Sequence, residues 1–105
     1  METRELAGAA IAFDEDGHMA NRQEWNENVA LALAKEEGID ELNDRHWIVL
    51  NFMRKVFDEM GDAPSIRKLT KESGVNTKEL YQLFPKGPAK KAAKIAGLPK
   101  PKGCI

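Results

Sequence analysis

The chain has 105 residues and a mass of 11.7 kDa, enough for one domain with a modest core, which excludes an enzyme with separate cofactor and substrate domains. Its 42% hydrophobic and 31% charged residues are typical of a folded, soluble protein and not of a disordered chain. No apolar run approaches the roughly 18 residues of a membrane span, and the N-terminus lacks a signal-peptide core, which predicts a cytoplasmic protein without a membrane partner. The single cysteine excludes an internal disulfide and a zinc site built from several cysteines.

The net charge of −1 hides a strong asymmetry along the chain. Residues 1–62 contain 6 Lys and Arg against 15 Asp and Glu, a formal charge of −9, whereas residues 63–105 contain 10 against 2, a formal charge of +8. This division indicates internal complementarity, a negatively charged partner surface, or both.

The first twenty residues show no helical period and predict a small β-hairpin. Its strands are residues 4–6 and 9–13, and the acidic, glycine-containing cluster at 14–17 is a turn that closes the second strand. Apolar side chains then recur at helical spacing, which predicts a first helix over residues 22–37 that ends before Gly38.

The next two helices are predicted from their capping residues. Asn43 or Asp44 begins a long helix that ends at Gly61, and its many apolar residues leave only a polar stripe, so it is the central core helix. Pro64 is predicted to open a short third helix, which Gly74 ends.

Two more short helices complete the predicted body. Asn76 or Thr77 caps the fourth helix, and Pro85 stops it. The fifth begins at Pro88 and ends at Gly97. The third and fourth helices are adjacent and sharply joined, which predicts a corner similar to a helix-turn-helix.

The segment after the fifth helix contains two prolines, which favour an extended course, so residues 98–105 are predicted to form a semi-stiff arm outside the core. The predicted fold class is mainly α, an orthogonal bundle of about five short helices with an N-terminal β-hairpin, a helix-turn-helix-like corner and an extended C-terminal arm. We expect one domain over residues 1–105, divided into a hairpin (1–20), a helical body (21–95) and the arm (96–105).

Cys104 is the one nucleophile in an informative position. Because Gly103 precedes it and only Ile105 follows it, its sulfur can enter a pocket of another protein. Lys100 and Lys102 favour the thiolate, and the terminal carboxylate opposes it. An incidental exposed thiol is the alternative, but the Pro-x-Pro spacer before Gly-Cys favours a thiol presented at a set distance.

Several motifs closely resemble those of the DsrC/TusE family of small sulfur-carrier proteins. The C-terminal ones are Leu-Phe-Pro-Lys-Gly-Pro-Ala-Lys at 83–90, Ile-Ala-Gly-Leu-Pro-Lys-Pro at 95–101 and the final Cys-Ile. Further matches at 14–17, 46–47 and 63–69 extend the resemblance over nearly the whole chain. The resemblance implies a mostly helical fold with an N-terminal hairpin, and an arm whose penultimate cysteine, Cys104, carries sulfane sulfur as a persulfide.

The family has two branches that differ in the arm. DsrC members have a second cysteine eleven residues before the penultimate one, a position that Ala93 occupies here. The one-cysteine pattern resembles TusE, which implies a TusBCD-type donor and an acceptor enzyme that 2-thiolates tRNA uridine. The stretch between Gly74 and Leu80 is shorter than in TusE, and Gly103 resembles the DsrC ending. A DsrEFH-type donor and a sulfite reductase-type acceptor therefore remain the alternative partners.

The predicted mechanism is transpersulfidation, in which the Cys104 thiolate takes the outer sulfur of a donor persulfide and passes it to an acceptor cysteine. This makes the protein a sulfurtransferase in the broad sense, and the exchange requires no metal or organic cofactor. Arg67 matches the family's arginine and is expected to hold the arm or to stabilise anionic sulfur by charge-assisted hydrogen bonds. The alternative for Arg67 is a solvated or ion-paired residue. Lys100, Lys102 and Gly103 are expected to support the arm.

A nucleic-acid-binding module is the alternative from another class. Residues 65–84 have the order of a helix-turn-helix, in the part of the chain that has the +8 charge. The polar residues of the second helix, Lys78, Glu79 and Gln82, are poor in the Arg and Asn that read bases, so direct nucleic-acid binding is less favoured. His46 is expected to make a local hydrogen bond in the first turn of its helix, with Trp25 and Trp47 in core or edge packing.

Overall fold

The computed structural model describes residues 2–99 of the chain. It is mainly α with an N-terminal two-stranded antiparallel sheet, which confirms the predicted bundle of five helices with a hairpin. The predicted extended arm lies largely beyond residue 99, outside the described residues. In chain order the elements are β1 (Glu2–Leu6), β2 (Ala9–Phe13), a 3₁₀ turn (Arg22–Glu24), α1 (Glu27–Glu36), α2 (Asp44–Met60), α3 (Ile66–Ser73), α4 (Thr77–Leu83) and α5 (Pro88–Ile95). None of the helices within residues 2–99 is long and apolar enough to cross a membrane.

The hairpin is tight and packs one face on the helices. Leu6 pairs with Ala9, so Ala7 and Gly8 form a two-residue loop, and both have positive φ angles of 52° and 81°. That geometry is the one that matches the right-handed twist of paired strands, and glycine adopts it without a steric penalty. The buried side chain of Phe13 points inward, and the Arg4 guanidinium lies 4.2 Å from its ring centre.

The predicted first helix over 22–37 is wrong in one respect, because the structure breaks it in two. After the 3₁₀ turn, Trp25 is extended with φ −75° and ψ 140°, and the Asn26 side chain accepts a hydrogen bond from the Val29 amide at 2.9 Å to begin α1. Asparagine is a preferred N-cap because its side chain satisfies an otherwise unpaired helix amide. The Trp25 indole lies at the end of α5, where its Nε1 donates to the Ile95 carbonyl.

The central helix α2 begins at a capping box that uses histidine. The Asn43 side chain accepts from the amides of Arg45 and His46, and the Asn43 amide donates to His46 Nδ1 at 3.1 Å. His46 Nε2 therefore has the proton, which it donates to the Leu83 carbonyl at 3.0 Å. Burial lowers the pKa of His46, and the hydrogen bond to Leu83 opposes this in part. The predicted local hydrogen bond of His46 is confirmed.

Helices α3 and α4 form the predicted corner, with a correction at its start. Pro64 does not open α3, because Ser65 follows it as the N-cap and accepts a hydrogen bond from the Lys68 amide at 3.2 Å. A serine hydroxyl satisfies a free amide that proline cannot, so the cap moves one residue along the chain. Gly74 ends α3, and the Asn76 side chain caps α4 through the Glu79 amide at 2.8 Å.

The core lies between the inner face of the hairpin and the five helices. Both tryptophans are partly buried against it, as predicted. Leu98 is also fully buried in this core, so the prediction that the segment from Leu98 onward lies outside the core is wrong at that residue. The fully buried large side chains include Phe13, Phe84, Ile11, Leu33, Leu50, Met53, Leu69, Leu80, Ile95 and Leu98.

Candidate functional site

Most of the predicted site residues lie outside the described part of the chain. Lys100, Lys102, Gly103 and Cys104 all follow Pro99, the last described residue. Arg67 lies in the first turn of α3 and is exposed. Within residues 2–99 its side chain makes no hydrogen bond or ion pair, so the described residues assign it no contact with the rest of the site. The geometry that bears on the arm is therefore that of its root.

The root begins at a glycine that ends α5, as the sequence predicts. Gly97 has φ +75°; its amide donates to the Lys94 carbonyl at 3.2 Å, and the Leu98 amide donates to the Ala93 carbonyl at 2.9 Å. These two hydrogen bonds define a Schellman motif, which turns the chain sharply out of the helix. Leu98 and Ala93 are both fully buried, as the hydrophobic contact that accompanies this motif requires.

Three side chains from other parts of the chain bind the main-chain carbonyls of this turn. Trp25 Nε1 donates to the Ile95 carbonyl at 2.7 Å, and Arg54 Nη1 donates to the Ala96 carbonyl at 2.6 Å. His18 Nδ1 lies 2.9 Å from the Leu98 carbonyl, and because a carbonyl only accepts, this nitrogen has the proton. The carbonyls at the end of a helix have no partner within it, and Trp25 and Arg54 provide partners for those of Ile95 and Ala96.

His18 is fully buried beside the root. Its Nε2 is buried and has no hydrogen-bond partner within residues 2–99. Burial lowers the pKa of His18; the hydrogen bond to the Leu98 carbonyl and the charge of Asp14 raise it, and the charges of Lys94 and Lys90 lower it. The neutral ring with its proton on Nδ1 is therefore the form that suits this position.

Arg54 and Trp25 also contact each other. The Arg54 guanidinium lies 4.0 Å from the centre of the Trp25 ring, a cation–π distance. Burial lowers the pKa of Arg54, the charge of Asp58 raises it, and the charge of Arg22 lowers it. A Cβ atom at Gly97 would lie only 2.6 Å from the Trp25 ring, so the indole is pressed against the turn itself.

A shallow cavity of about 500 Å³ lies next to the point where the chain leaves the body. Pro99 lines one side of it, and Met19, Asn21 and Phe57 line others. Arg22 also lines it, pairs with Asp58 and places its guanidinium 5.1 Å from the Phe57 ring centre. The exit of the chain thus lies beside an open, partly apolar surface.

Sequence analysis did not identify the three side chains at the root as a group. They lie on three separate segments, 70, 42 and 80 residues from the carbonyls that they bind. No spacing rule connects Trp25, Arg54 or His18 to residues so distant in the chain. From the sequence, Gly97 predicts the turn at the end of α5, but nothing in the sequence predicts which side chains bind that turn.

Comparisons with known proteins bear on both the fold and the motifs. Residues 5–105 match the family described as DsrC like protein. Sulfurtransferase TusE of Photorhabdus laumondii is 47% identical over 105 residues, covering 93% of this chain and 94% of the relative. The structure of dissimilatory sulfite reductase I (DsrI) has a TM-score of 0.88 and 38% identity, covering 99% of this chain and 100% of that one. DsrC of Allochromatium vinosum has a TM-score of 0.84 and 42% identity, covering 99% and 98%.

These matches agree in sequence and in fold over nearly the whole chain. The relative is nearly half identical, and the two solved structures superpose along almost their full length. The resemblance predicted from the C-terminal motifs is thereby confirmed, and the chain belongs to the family of DsrC-like proteins.

Proposed function

We propose that this protein is a sulfur carrier, and that Cys104 holds the transferred sulfur as a persulfide in a sulfur relay. The observation on which the proposal depends is that the family match extends to residue 105 and so includes Cys104. The relatives named sulfurtransferase TusE support the same role. Direct nucleic-acid binding is less favoured, because relatives about 45–47% identical to this chain are named as sulfurtransferases.

The chemistry is an exchange between thiols with no net oxidation. The Cys104 thiolate attacks the outer sulfur of a donor persulfide, the donor's S–S bond breaks, and the donor cysteine leaves as a thiolate. A new S–S bond on Cys104 now holds the sulfane sulfur. An acceptor cysteine thiolate then attacks that outer sulfur and releases Cys104 as a thiolate. Neither step requires a metal or an organic cofactor.

The charges near the arm fit this chemistry. Lys100 and Lys102 stabilise the thiolate and the leaving thiolate at Cys104, since nearby positive charge lowers a thiol pKa. Arg67 is proposed to hold the arm or the anionic sulfur when the arm lies near α3. Ala93 occupies the place of a second arm cysteine, so a persulfide on Cys104 is resolved by another protein and not by this chain.

The partners are proposed to be a donor of the TusBCD or DsrEFH type and an acceptor that is either a tRNA 2-thiouridylase or a sulfite reductase-type complex. The relatives named TusE favour the first pathway, and the solved structures named for sulfite reductase favour the second. A cytoplasmic location is part of the proposal, because a working thiol requires a reducing compartment.

Mass spectrometry of the intact protein tests the proposal. After incubation with glutathione persulfide, we expect an adduct of one sulfur atom that dithiothreitol removes and that Cys104→Ser lacks. Transfer of that sulfur to a second thiol protein should regenerate the unmodified mass. A wild-type protein that stays unmodified, or an adduct that persists in Cys104→Ser, would overturn the proposal.

The pathway is tested separately with the persulfidated protein as bait. Binding to a purified tRNA 2-thiouridylase that is lost in Cys104→Ser would assign tRNA thiolation. Binding to a purified sulfite reductase complex under the same conditions would assign the other branch.

A further inference from the structure

We propose that His18, Trp25 and Arg54 form a clamp that fixes where and in which direction the arm leaves the body, and that they are positioning residues for sulfur transfer. This exit clamp rests on the proposed function, because the position of the arm's root matters only if Cys104 must reach a partner protein. The clamp adds a geometric requirement for sulfur transfer to the chemical one at Cys104.

The three residues bind three carbonyls within a segment of only four residues. Trp25 holds Ile95 from the loop before α1, Arg54 holds Ala96 from the middle of α2, and His18 holds Leu98 from the loop after β2. Because the donors come from three different segments, the turn is tied to the body from three separate directions. Three contacts from different directions restrain the position and the direction of the turn more tightly than one hydrogen bond would.

The clamp is also supported from within. The Arg54 guanidinium lies on the Trp25 ring, and that ring lies so close to Gly97 that a side chain there would overlap it. Rotation of the indole would thus break its hydrogen bond, its contact with Arg54 and its packing on the turn together.

The clamp buries polar groups of His18 and Arg54, which is energetically unfavourable. His18 Nε2 is buried without a partner within residues 2–99, and burial disfavours the charged form of Arg54. Buried polar atoms are normally paired, so a site that keeps an unpaired one invites a functional explanation. Placing a donor against the Leu98 carbonyl is the role that the geometry gives to His18.

Few residues lie between the clamp and Cys104, so the direction of the exit affects where Cys104 can reach. Cys104 lies only five positions after Pro99 in the sequence, and a fully extended chain of that length spans at most about 18 Å. A short tether concentrates its end in a small volume, and a change at its root moves that volume as a whole. Loosening the clamp should therefore reduce transfer between proteins and leave the thiol's own reactivity unchanged.

Conservative variants remove one donor at a time. Trp25→Phe keeps an aromatic ring against Gly97 and removes the Nε1 hydrogen bond. His18→Leu removes the donor to Leu98, and His18→Asn restores a donor. Arg45→Ala serves as the matched control, because it removes a side chain that bonds to Glu79 and to the Gly74 carbonyl away from the exit.

Two rates are measured for each variant: alkylation of Cys104 by iodoacetamide, and uptake of sulfur from a persulfidated TusBCD-type complex. For Trp25→Phe and His18→Leu we expect uptake at subsaturating donor to fall about tenfold, with alkylation within about twofold of wild type. His18→Asn should recover most of the uptake, and Arg45→Ala should match wild type in both rates. Hydrogen exchange at the Leu98 amide should rise in Trp25→Phe and His18→Leu.

The outcomes separate the clamp from the proposed function. Wild-type uptake together with unchanged uptake in Trp25→Phe and His18→Leu would overturn the clamp alone. A parallel fall of alkylation and uptake would also overturn it, since that is the result of general disorder. If the wild-type protein takes up no sulfur at Cys104 from this complex, from a DsrEFH-type complex or from glutathione persulfide, the proposed function fails and the clamp fails with it.

Discussion

The corner formed by α3 and α4 and the exit of the chain at the end of α5 share the same local structure but differ in the contacts that stabilise them. Each contains a short helix that ends at a glycine with positive φ, 84° at Gly74 and 75° at Gly97. Each also has a buried histidine that donates to a carbonyl near a helix end, His46 to Leu83 and His18 to Leu98.

The difference lies in what surrounds each turn. A Cβ at Gly74 would meet nothing within 4 Å, whereas one at Gly97 would overlap the Trp25 ring. At the corner the ion pair between Arg45 and Glu79 is partly exposed, whereas His18 at the exit is fully buried and Trp25 and Arg54 are partly buried. We therefore expect the corner to tolerate substitutions better than the exit does.

The largest expected effect is a difference in the free energy of unfolding between alanine variants of the two glycines. Gly97→Ala combines a left-handed backbone with overlap against Trp25, so it should lower the free energy of unfolding by about 2–5 kcal/mol. Gly74→Ala has the same backbone strain without overlap and should lower it by only about 1–2 kcal/mol. Denaturant unfolding of both variants measures the difference. Equal losses would show that Trp25 yields, and the contrast between the two turns would then be wrong.

A smaller effect is expected from pH and involves both histidines. Their folded-state pKa values are lowered from 6.5, so the unfolded chain binds protons more readily. Stability should be complete above pH 6.5, fall as the pH drops through that value, and stop falling below the folded-state pKa values. A protonated His46 loses its bond from the Asn43 amide, and a protonated His18 buries a second N–H that has no partner within residues 2–99.

Denaturant unfolding between about pH 7.5 and pH 5.5 tests this, because carboxylates contribute little in that window. His46→Gln keeps a capping-box side chain, and His18→Asn keeps a donor, so each should remove only its own share of the pH dependence. A wild-type stability that does not change in this window would contradict the prediction.

The smallest expected effect concerns the exposed ion pair at the corner. The hydrogen bond between Arg45 and Glu79 lowers the pKa of Glu79 and raises that of Arg45, but exposed pairs contribute little to stability. Glu79→Gln should leave the midpoint of thermal unfolding nearly unchanged. Added salt should make the small remaining difference from wild type smaller still. A clear loss of stability in Glu79→Gln would mean that the surface ion pair stabilises the corner, contrary to the contrast drawn between the corner and the exit.

The parts of the fold that could be predicted are those with local causes. Asn43, Asn76 and Gly61 mark helix ends because a cap acts on its own neighbours. Pro64 misled the prediction of α3 because two adjacent residues, a proline and a serine, both fit the start of a helix, and only Ser65 offers an acceptor.

The parts that could not be predicted depend on contacts between distant segments. The break at Trp25 makes sense only once its indole reaches Ile95, and Leu98 joins the core only because the turn at Gly97 directs it inward. Sequence spacing shows neither contact, since both arise from the packing of α5 on the rest of the chain. For the site, Cys104 could be identified from its motif, and its assignment stays a prediction because it lies beyond residue 99.

The position of Trp25 gives the protein a built-in optical probe of the exit. The chain has two tryptophans, so Trp47→Phe leaves a single indole, placed against Gly97 and beneath a guanidinium. Indole emission responds to the polarity and hydrogen bonding around the ring. A partner that docks at the exit and shifts the turn should change the fluorescence of this variant without any added label, so that binding can be titrated directly.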